Sequence, residues 1–81
     1  MVSVSEHLLD ARNLLCPLPV IRVQDKVRDL AAGDVLEVVC SDPGALLDIP
    51  AWCRLHGHGV IAAQDNGKEV WISIAVASAG G

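Results

Sequence analysis

The chain has 81 residues, a length that fits a single domain and leaves no room for a separate cofactor-binding lobe. Hydrophobic residues make up 52% of the sequence, which excludes a disordered protein, and the absence of Phe and Tyr requires an aliphatic core. The net charge of −4 argues against direct nucleic-acid binding, and no apolar stretch approaches the ~20 residues of a membrane-spanning helix.

The first half of the chain predicts a strand, a helix and a second strand. A short strand is expected over residues 6–10, and a helix from Cys16 to about Ala31, which Gly33 ends. The apolar positions of this helix recur every three or four residues and share one face: Val20, Val23, Val27 and Leu30. Residues 34–40 alternate as a strand with inward-facing side chains at Leu36, Val38 and Cys40.

The next segment predicts a second helix, whose start is expected to lie close to Pro50 and not directly after Pro43. The tripeptide Ser-Asp-Pro at residues 41–43 is a helix-start signal, a capping side chain followed by proline. Pro50 follows, and a proline inside a helix removes a hydrogen bond and clashes with the preceding turn. We therefore expect a turn over residues 43–47 and the main helix over residues 49–56, with Asp48 as a second capping residue.

The last part of the chain predicts a β-hairpin. Strands are expected over residues 59–65 and 68–76, joined by a tight turn at Asn66-Gly67. The order βαβαββ predicts an α+β fold, a two-layer α/β sandwich with two helices packed on one face of a four-stranded mixed sheet. We expect one domain over residues 1–76 and a flexible tail over residues 77–81.

Cys16 is the candidate reactive residue because it directly precedes a predicted helix. The thiolate is the reactive form of cysteine and a helix N-terminus favours negative charge, so we expect a lowered pKa at Cys16. Pro17 and Pro19 carry no N–H group, which leaves the backbone N–H groups of Leu18 and Val20 as donors to an anion at Cys16. The two proline rings also stiffen the turn that contains Cys16. The alternative is a small apolar side chain buried under the start of the helix.

The other cysteines, Cys40 and Cys53, are predicted to be core residues. Their spacing with His56 and His58, C-x12-C-x2-H-x-H, is not that of a zinc finger, and we expect neither a metal site nor a cofactor. The odd number of cysteines, and an N-terminal segment without the features of a signal peptide, favour reduced thiols in a cytoplasmic protein.

Two blocks of the sequence resemble the TusA/SirA-like family of sulfur carriers. The first contains the CPxP signature of that family: Leu9-Asp10-Ala11-Arg12 and Leu15-Cys16-Pro17-Leu18-Pro19. The second consists of Ser41-Asp42-Pro43-Gly44 and Asp48-Ile49-Pro50-Ala51-Trp52. The resemblance extends from residue 8 to residue 76 and implies the same βαβαββ sandwich. It also implies that Cys16 accepts sulfane sulfur as a persulfide and passes it to an acceptor protein.

The resemblance implies a cysteine desulfurase or a rhodanese-like protein as the sulfur donor. In the family the sulfur serves tRNA thiolation, sulfur oxidation or molybdenum-cofactor assembly, and the carrier is a sulfurtransferase without turnover chemistry of its own. This chain has Asn13 where Gly is frequent, Leu15 where a polar residue is frequent, and Leu18 where members serving tRNA thiolation are often acidic. The less polar surroundings of Cys16 favour sulfur-oxidation trafficking.

A carrier without a substrate pocket would obtain its specificity from surface contacts. The candidate partner contacts are Arg12, the turn at Asp42, and Trp71 on the sheet face that the helices leave open. An exposed aromatic residue on an apolar patch often marks a contact surface, although neighbouring side chains can also half cover such a residue. We expect the protein to be a monomer.

Three other functions stay open at this point. The chain ends in Gly80-Gly81, as ubiquitin-like carriers of a C-terminal thiocarboxylate do, but the predicted strand order does not suit them. A thiol redox or regulatory protein-binding module would form a disulfide from Cys16 to a partner or to Cys53. A binding module without chemistry would use the sheet face around Trp71.

Overall fold

Six elements in the order βαβαββ make up the fold, as the sequence predicts. The computed structural model describes residues 5–77. The elements are β1 (Glu6–Ala11), α1 (Leu18–Val27), β2 (Val35–Cys40), α2 (Ala45–His56), β3 (Gly59–Asp65) and β4 (Val70–Ala75). The sheet has the order β1-β2-β4-β3; β1 runs parallel to β2, and the other two pairings are antiparallel. This is the predicted mixed sheet, with both helices on one face.

Alternating side chains on β2 and β4 build the core between the sheet and the helices. Leu36 lies opposite Ile74 and Val38 opposite Ile72, and none of the four is exposed to solvent. The helices contribute further fully buried side chains: Val23, Ile49 and Cys53. Burying one such aliphatic side chain contributes roughly 1.5–3 kcal/mol, so this layer is the main source of stability.

Helix α1 ends at Val27, four residues before its predicted end at Ala31. The backbone N–H groups of Asp29 and Leu30 donate to carbonyls three residues back, a tighter turn than that of an α-helix. Leu30 nevertheless remains buried against the core. The apolar spacing therefore extends beyond the helix, which is why the pattern predicts too long an element.

Helix α2 runs without a break through Pro50, which corrects the predicted turn over residues 43–47 and the later helix start. Pro50 has no N–H group to donate to the carbonyl of Leu46, so the helix lacks one backbone hydrogen bond at this position but continues to His56. Ile49 and Cys53, both without solvent exposure, anchor this part of the helix. Their burial offsets the cost of the proline.

Asp42 precedes α2 and accepts hydrogen bonds from backbone N–H groups at the start of the helix. Its backbone carbonyl accepts the N–H of Ala45, and its Oδ1 accepts the N–H of Gly44 at 2.9 Å. The predicted start signal is therefore used, although the helix proper begins only after Gly44. Asp48 lies inside the helix and is not a capping residue, which corrects that prediction.

At the end of the sheet opposite the β3–β4 turn, the residues that follow β4 form hydrogen bonds with other parts of the chain. β4 is shorter than predicted, but Val76 is still buried beyond it. Ala77, the first residue of the predicted tail, donates its N–H to Nδ1 of His58 at 3.0 Å. Residues 78–81 of that tail lie outside the described residues. Within residues 5–77, no helix has the length and apolar character needed to cross a bilayer.

Candidate functional site

Cys16 lies in the turn between β1 and α1, with its side chain exposed. Pro17 occupies the N-cap position of α1, which begins at Leu18, and the Cys16–Pro17 peptide bond is cis. The N–H of Leu18 donates to the carbonyl of Leu15 at 2.8 Å. This donor is therefore not available to an anion at Cys16, contrary to the expectation from sequence.

The turn before Cys16 depends on Asn13. Its φ of 64° lies in the left-handed region, which asparagine adopts more readily than most residues. Asn13 can therefore replace the glycine that the TusA/SirA-like family often has at this position. Its backbone N–H donates to Oγ of Ser41 at 3.1 Å. This hydrogen bond ties the turn after β1 to the turn after β2.

The Cys16 thiol donates a hydrogen bond to Asp48 of α2, with a distance of 3.0 Å between Sγ and Oδ2. This bond, together with partial desolvation of the sulfur and the negative charges of Asp48 and Asp42, raises the pKa of Cys16 above its ordinary value. The lowered pKa expected from the helix N-terminus is therefore wrong. The two prolines and the occupied N–H of Leu18 leave few backbone donors, whereas the carboxylate is in direct contact.

Three exposed leucines lie near Cys16 in the chain or beside its hydrogen-bond partner Asp48. Leu15 directly precedes Cys16, Leu18 follows it by two positions, and Leu47 directly precedes Asp48 on α2. Leu15 and Leu47 are each 76% exposed and Leu18 is 43% exposed. These three leucines are called the apolar rim below. Together with Asp42 and Asp48, they give the site an apolar surface with a negatively charged centre.

Arg12 does not contact Cys16; it joins β1 to the start of β4. Its Nη2 donates to Asp10 at 2.8 Å and its Nη1 to Glu69 at 3.0 Å. The guanidinium group holds the pKa of Asp10 at about 2. These groups line an open cleft of about 750 Å³ together with Asn13. The predicted partner contact at Arg12 is therefore an ion-paired, half-exposed group beside the Cys16 turn.

Trp71 lies on the sheet face away from the helices, as the sequence predicts. It pairs with Val39 across β2 and β4, and it alternates with the buried Ile72. It is half-buried and lines a separate cleft with Glu37 and Ser73, which are joined by a 2.6 Å hydrogen bond. The structure thus groups Asp42 with the Cys16 site and places Trp71 on a different surface.

The remaining cysteines are core residues, as predicted. Cys40 and Cys53 have no solvent exposure, and burial raises the pKa of each thiol to about 11. Asp48 is the site residue for which the sequence predicts a different role. Because 32 positions separate it from Cys16, no local spacing joins the two. The available signal is the second block of the family resemblance, which contains Asp48.

The comparisons with known proteins agree with this fold and identify the family of the chain. The model of the family described as Sulfurtransferase TusA matches residues 7–76. The chain is 45% identical over 65 residues to the sulfur carrier protein TusA of Pseudomonas paraeruginosa, which is 80% of this chain and 82% of that protein. It is 37% identical over 70 residues to YrkI of Bacillus subtilis, which is 84% of this chain and 93% of that protein.

A solved structure shows the same fold. The crystal structure of a SirA-like protein from Desulfitobacterium hafniense aligns with a TM-score of 0.77 and covers 89% of this chain and 99% of that one, at 20% identity. At that identity the likeness concerns the fold alone. Because the family model matches nearly all of the described residues, the chain belongs to the TusA family of sulfur carriers.

Proposed function

We propose that this protein carries sulfane sulfur as a persulfide on Cys16, from a donor protein to an acceptor protein. The observation that supports this is the contrast among the three cysteines. Cys16 is exposed in the turn between β1 and α1, whereas Cys40 and Cys53 are fully buried. A group that exchanges sulfur with other proteins must be accessible to an attacking sulfur atom.

The proposed loading step is an exchange between two sulfur atoms. The Cys16 thiol gives up its proton, and the thiolate attacks the terminal sulfur of the donor's persulfide. A bond forms between Sγ of Cys16 and that sulfur, the S–S bond of the donor breaks, and the donor leaves as a thiolate that takes up the proton. In unloading, a nucleophile of the acceptor attacks the same terminal sulfur and Cys16 leaves. The sulfane sulfur moves without any external oxidant or reductant.

The surface around Cys16 supports a protein as the partner in each step. The apolar rim exposes leucine side chains that another protein can cover, and Asp42 and the ion-paired Arg12 flank it with polar groups. We assign the donor to the class of cysteine desulfurases or rhodanese-like proteins. The weakly polar rim favours sulfur-oxidation trafficking over tRNA thiolation. Trp71 would contact partners on a second surface, and the exchange would take place in the cytoplasm.

The redox alternative requires a second thiol. Cys53 lies in the core with no solvent exposure, so a disulfide to Cys16 would need local opening of α2. Nothing in the described part of the chain favours this reaction over transfer. The C-terminal glycines lie outside the described residues, and the experiment below separates a thiocarboxylate carrier from a Cys16 carrier.

Loading of Cys16 is tested by mass spectrometry. The reduced protein is incubated with polysulfide, or with a cysteine desulfurase and cysteine, and the intact mass and the modified peptide are determined. We expect one added, reducible sulfur atom on the peptide that contains Cys16, and none in Cys16→Ser. Cys53→Ala is the matched control and should load normally. Undiminished loading of Cys16→Ser, or no loading of the native protein by any donor, would contradict the proposal.

A further inference from the structure

The contact between Cys16 and Asp48 is not required by sulfur transfer itself. It spans 32 positions of the sequence and joins the β1–α1 turn to α2 with a 3.0 Å hydrogen bond. An ionised carboxylate only accepts hydrogen bonds, so the thiol is the donor and the contact requires its proton. Asp48 therefore favours the thiol over the thiolate by geometry as well as by charge.

No cation of the described chain neutralises this site. The charged groups that act on the sulfur are Asp48 from α2 and Asp42 from the turn before it. Within residues 5–77, neither carboxylate has a basic side chain at ion-pair distance, and the guanidinium of Arg12 is held by Asp10 and Glu69. A negative charge on Cys16 is therefore opposed by two carboxylates.

Sulfur exchange places negative charge on Sγ in both directions, because Sγ attacks as a thiolate in loading and leaves as a thiolate in unloading. The carboxylate beside it raises the energy of both transition states. The empty carrier is then a slow nucleophile as long as no cation is paired with the Asp48 carboxylate. A cation brought against Asp48 would cancel the opposing charge and remove the acceptor of the thiol proton.

We propose that Asp48 is a positioning residue that keeps the empty carrier in its thiol form, and that partner proteins activate Cys16 by placing a Lys or Arg side chain against the Asp48 carboxylate. Free polysulfides and oxidants, which bring no cation, then react slowly, whereas a docked partner meets a reactive thiolate. The inference deepens the proposed function, because it names the chemistry of the partner that the apolar rim receives.

The first experiment measures the alkylation of Cys16 by iodoacetamide from acidic to alkaline pH. In Asp48→Asn, the midpoint of the pH–rate profile should move to lower pH and the rate at neutral pH should rise about three- to tenfold. The gain is limited because a more acidic thiol is a weaker nucleophile. Asp48→Glu, which retains the charge, should keep most of the native behaviour. Asp29→Asn, which removes a charge from an exposed residue after α1, is the matched control and should leave the profile unchanged.

The second experiment tests the activating cation with two small disulfides of opposite charge. The native protein should react faster with cystamine, a dication, than with dithiodipropionate, a dianion, by about fivefold or more at low salt. Asp48→Asn should lose most of this preference, whereas Asp29→Asn should keep it. Added salt should reduce the preference of the native protein.

A native pH–rate profile and an unchanged preference for cystamine in Asp48→Asn, in a protein with native circular dichroism, would overturn the inference. Neither assay uses sulfane sulfur. Such a result would therefore leave the persulfide loading of Cys16 intact. Conversely, absence of loading would contradict the proposed function while the effect of Asp48 on the thiol remained measurable.

Discussion

At Cys16, two electrostatic influences of opposite sign act on one sulfur atom. The start of α1 favours a thiolate, but most of its first backbone donors are missing or occupied, whereas Asp48 accepts a hydrogen bond from the thiol directly. The position and exposure of Cys16 follow from the local sequence. Its acidity does not, because the group that controls it comes from another helix through the tertiary fold.

The apolar rim can be tested separately from the thiol by changing Leu47. This side chain is 76% exposed, so Leu47→Ser should change the free energy of unfolding by less than about 0.5 kcal/mol. We expect the rate of sulfur transfer from a donor protein to fall about three- to tenfold, while loading by polysulfide stays unchanged, because only the protein donor contacts the rim. The measurement compares both loading rates by intact mass.

Leu55→Ser is the matched control for Leu47→Ser. Leu55 is 80% exposed and lies on the same helix, about two turns after Leu47 and seven residues after Asp48. Its replacement should leave both loading rates unchanged. Equal slowing by the two substitutions would indicate a general effect of α2 and contradict a specific role of the rim.

At the level of elements, apolar spacing predicts the strands well and the helix ends poorly. The alternation of Leu36 and Val38 locates β2 correctly, because burial on one sheet face imposes a period of two. Pro50 leads to a wrong prediction of the start of α2. The rule against proline in helices considers only the local sequence, whereas the burial of Ile49, which anchors the helix, depends on the tertiary fold. Leu30 leads to a predicted α1 that is too long, because a residue in a turn can be buried at the same spacing as a residue in a helix.

The cost of Pro50 can be measured. Pro50→Ala restores one N–H donor and removes the clash with the preceding turn, so the free energy of unfolding in urea should rise by about 1–2 kcal/mol. Ala51→Gly is the control for an intact helix at this position and should lower the free energy of unfolding by about 1 kcal/mol. A less stable Pro50→Ala protein would show instead that the proline ring packs productively in α2.

At the level of the whole molecule, a buried histidine joins the end of β4 to α2. His58 accepts the N–H of Ala77 through Nδ1, and its ring stacks on Trp52 with centroids 5.2 Å apart. Burial, with a smaller effect of the neighbouring His56, lowers the pKa of His58 below 6.5. The lowered pKa disfavours protonation of the imidazole in the native state, and protonation would remove the acceptor that holds Ala77.

The lowered pKa of His58 predicts a dependence of stability on pH. Below about pH 6.5 the unfolded chain binds a proton that the folded chain resists, so the free energy of unfolding should fall as the pH drops through that value. The loss should be complete once the pH is below the folded pKa. The measurement is urea unfolding at several pH values between neutral and mildly acidic.

His58→Asn should flatten this dependence, because its amide oxygen can accept from Ala77 but does not titrate in this range. A native slope in His58→Asn would assign the dependence on pH to other groups.

The pairing of the strands places the two ends of the described chain at the end of the sheet opposite the Cys16 turn. Glu6, Val35 and Ala75 lie in one row across the sheet, and Ala11, Cys40 and Val70 lie in a row at the other end, from which the Cys16 turn emerges. A bead, a surface or a second domain joined through Ser5 or Ala77 would leave Cys16 facing away from its support. The fold therefore suits a tethered shuttle as well as a free one.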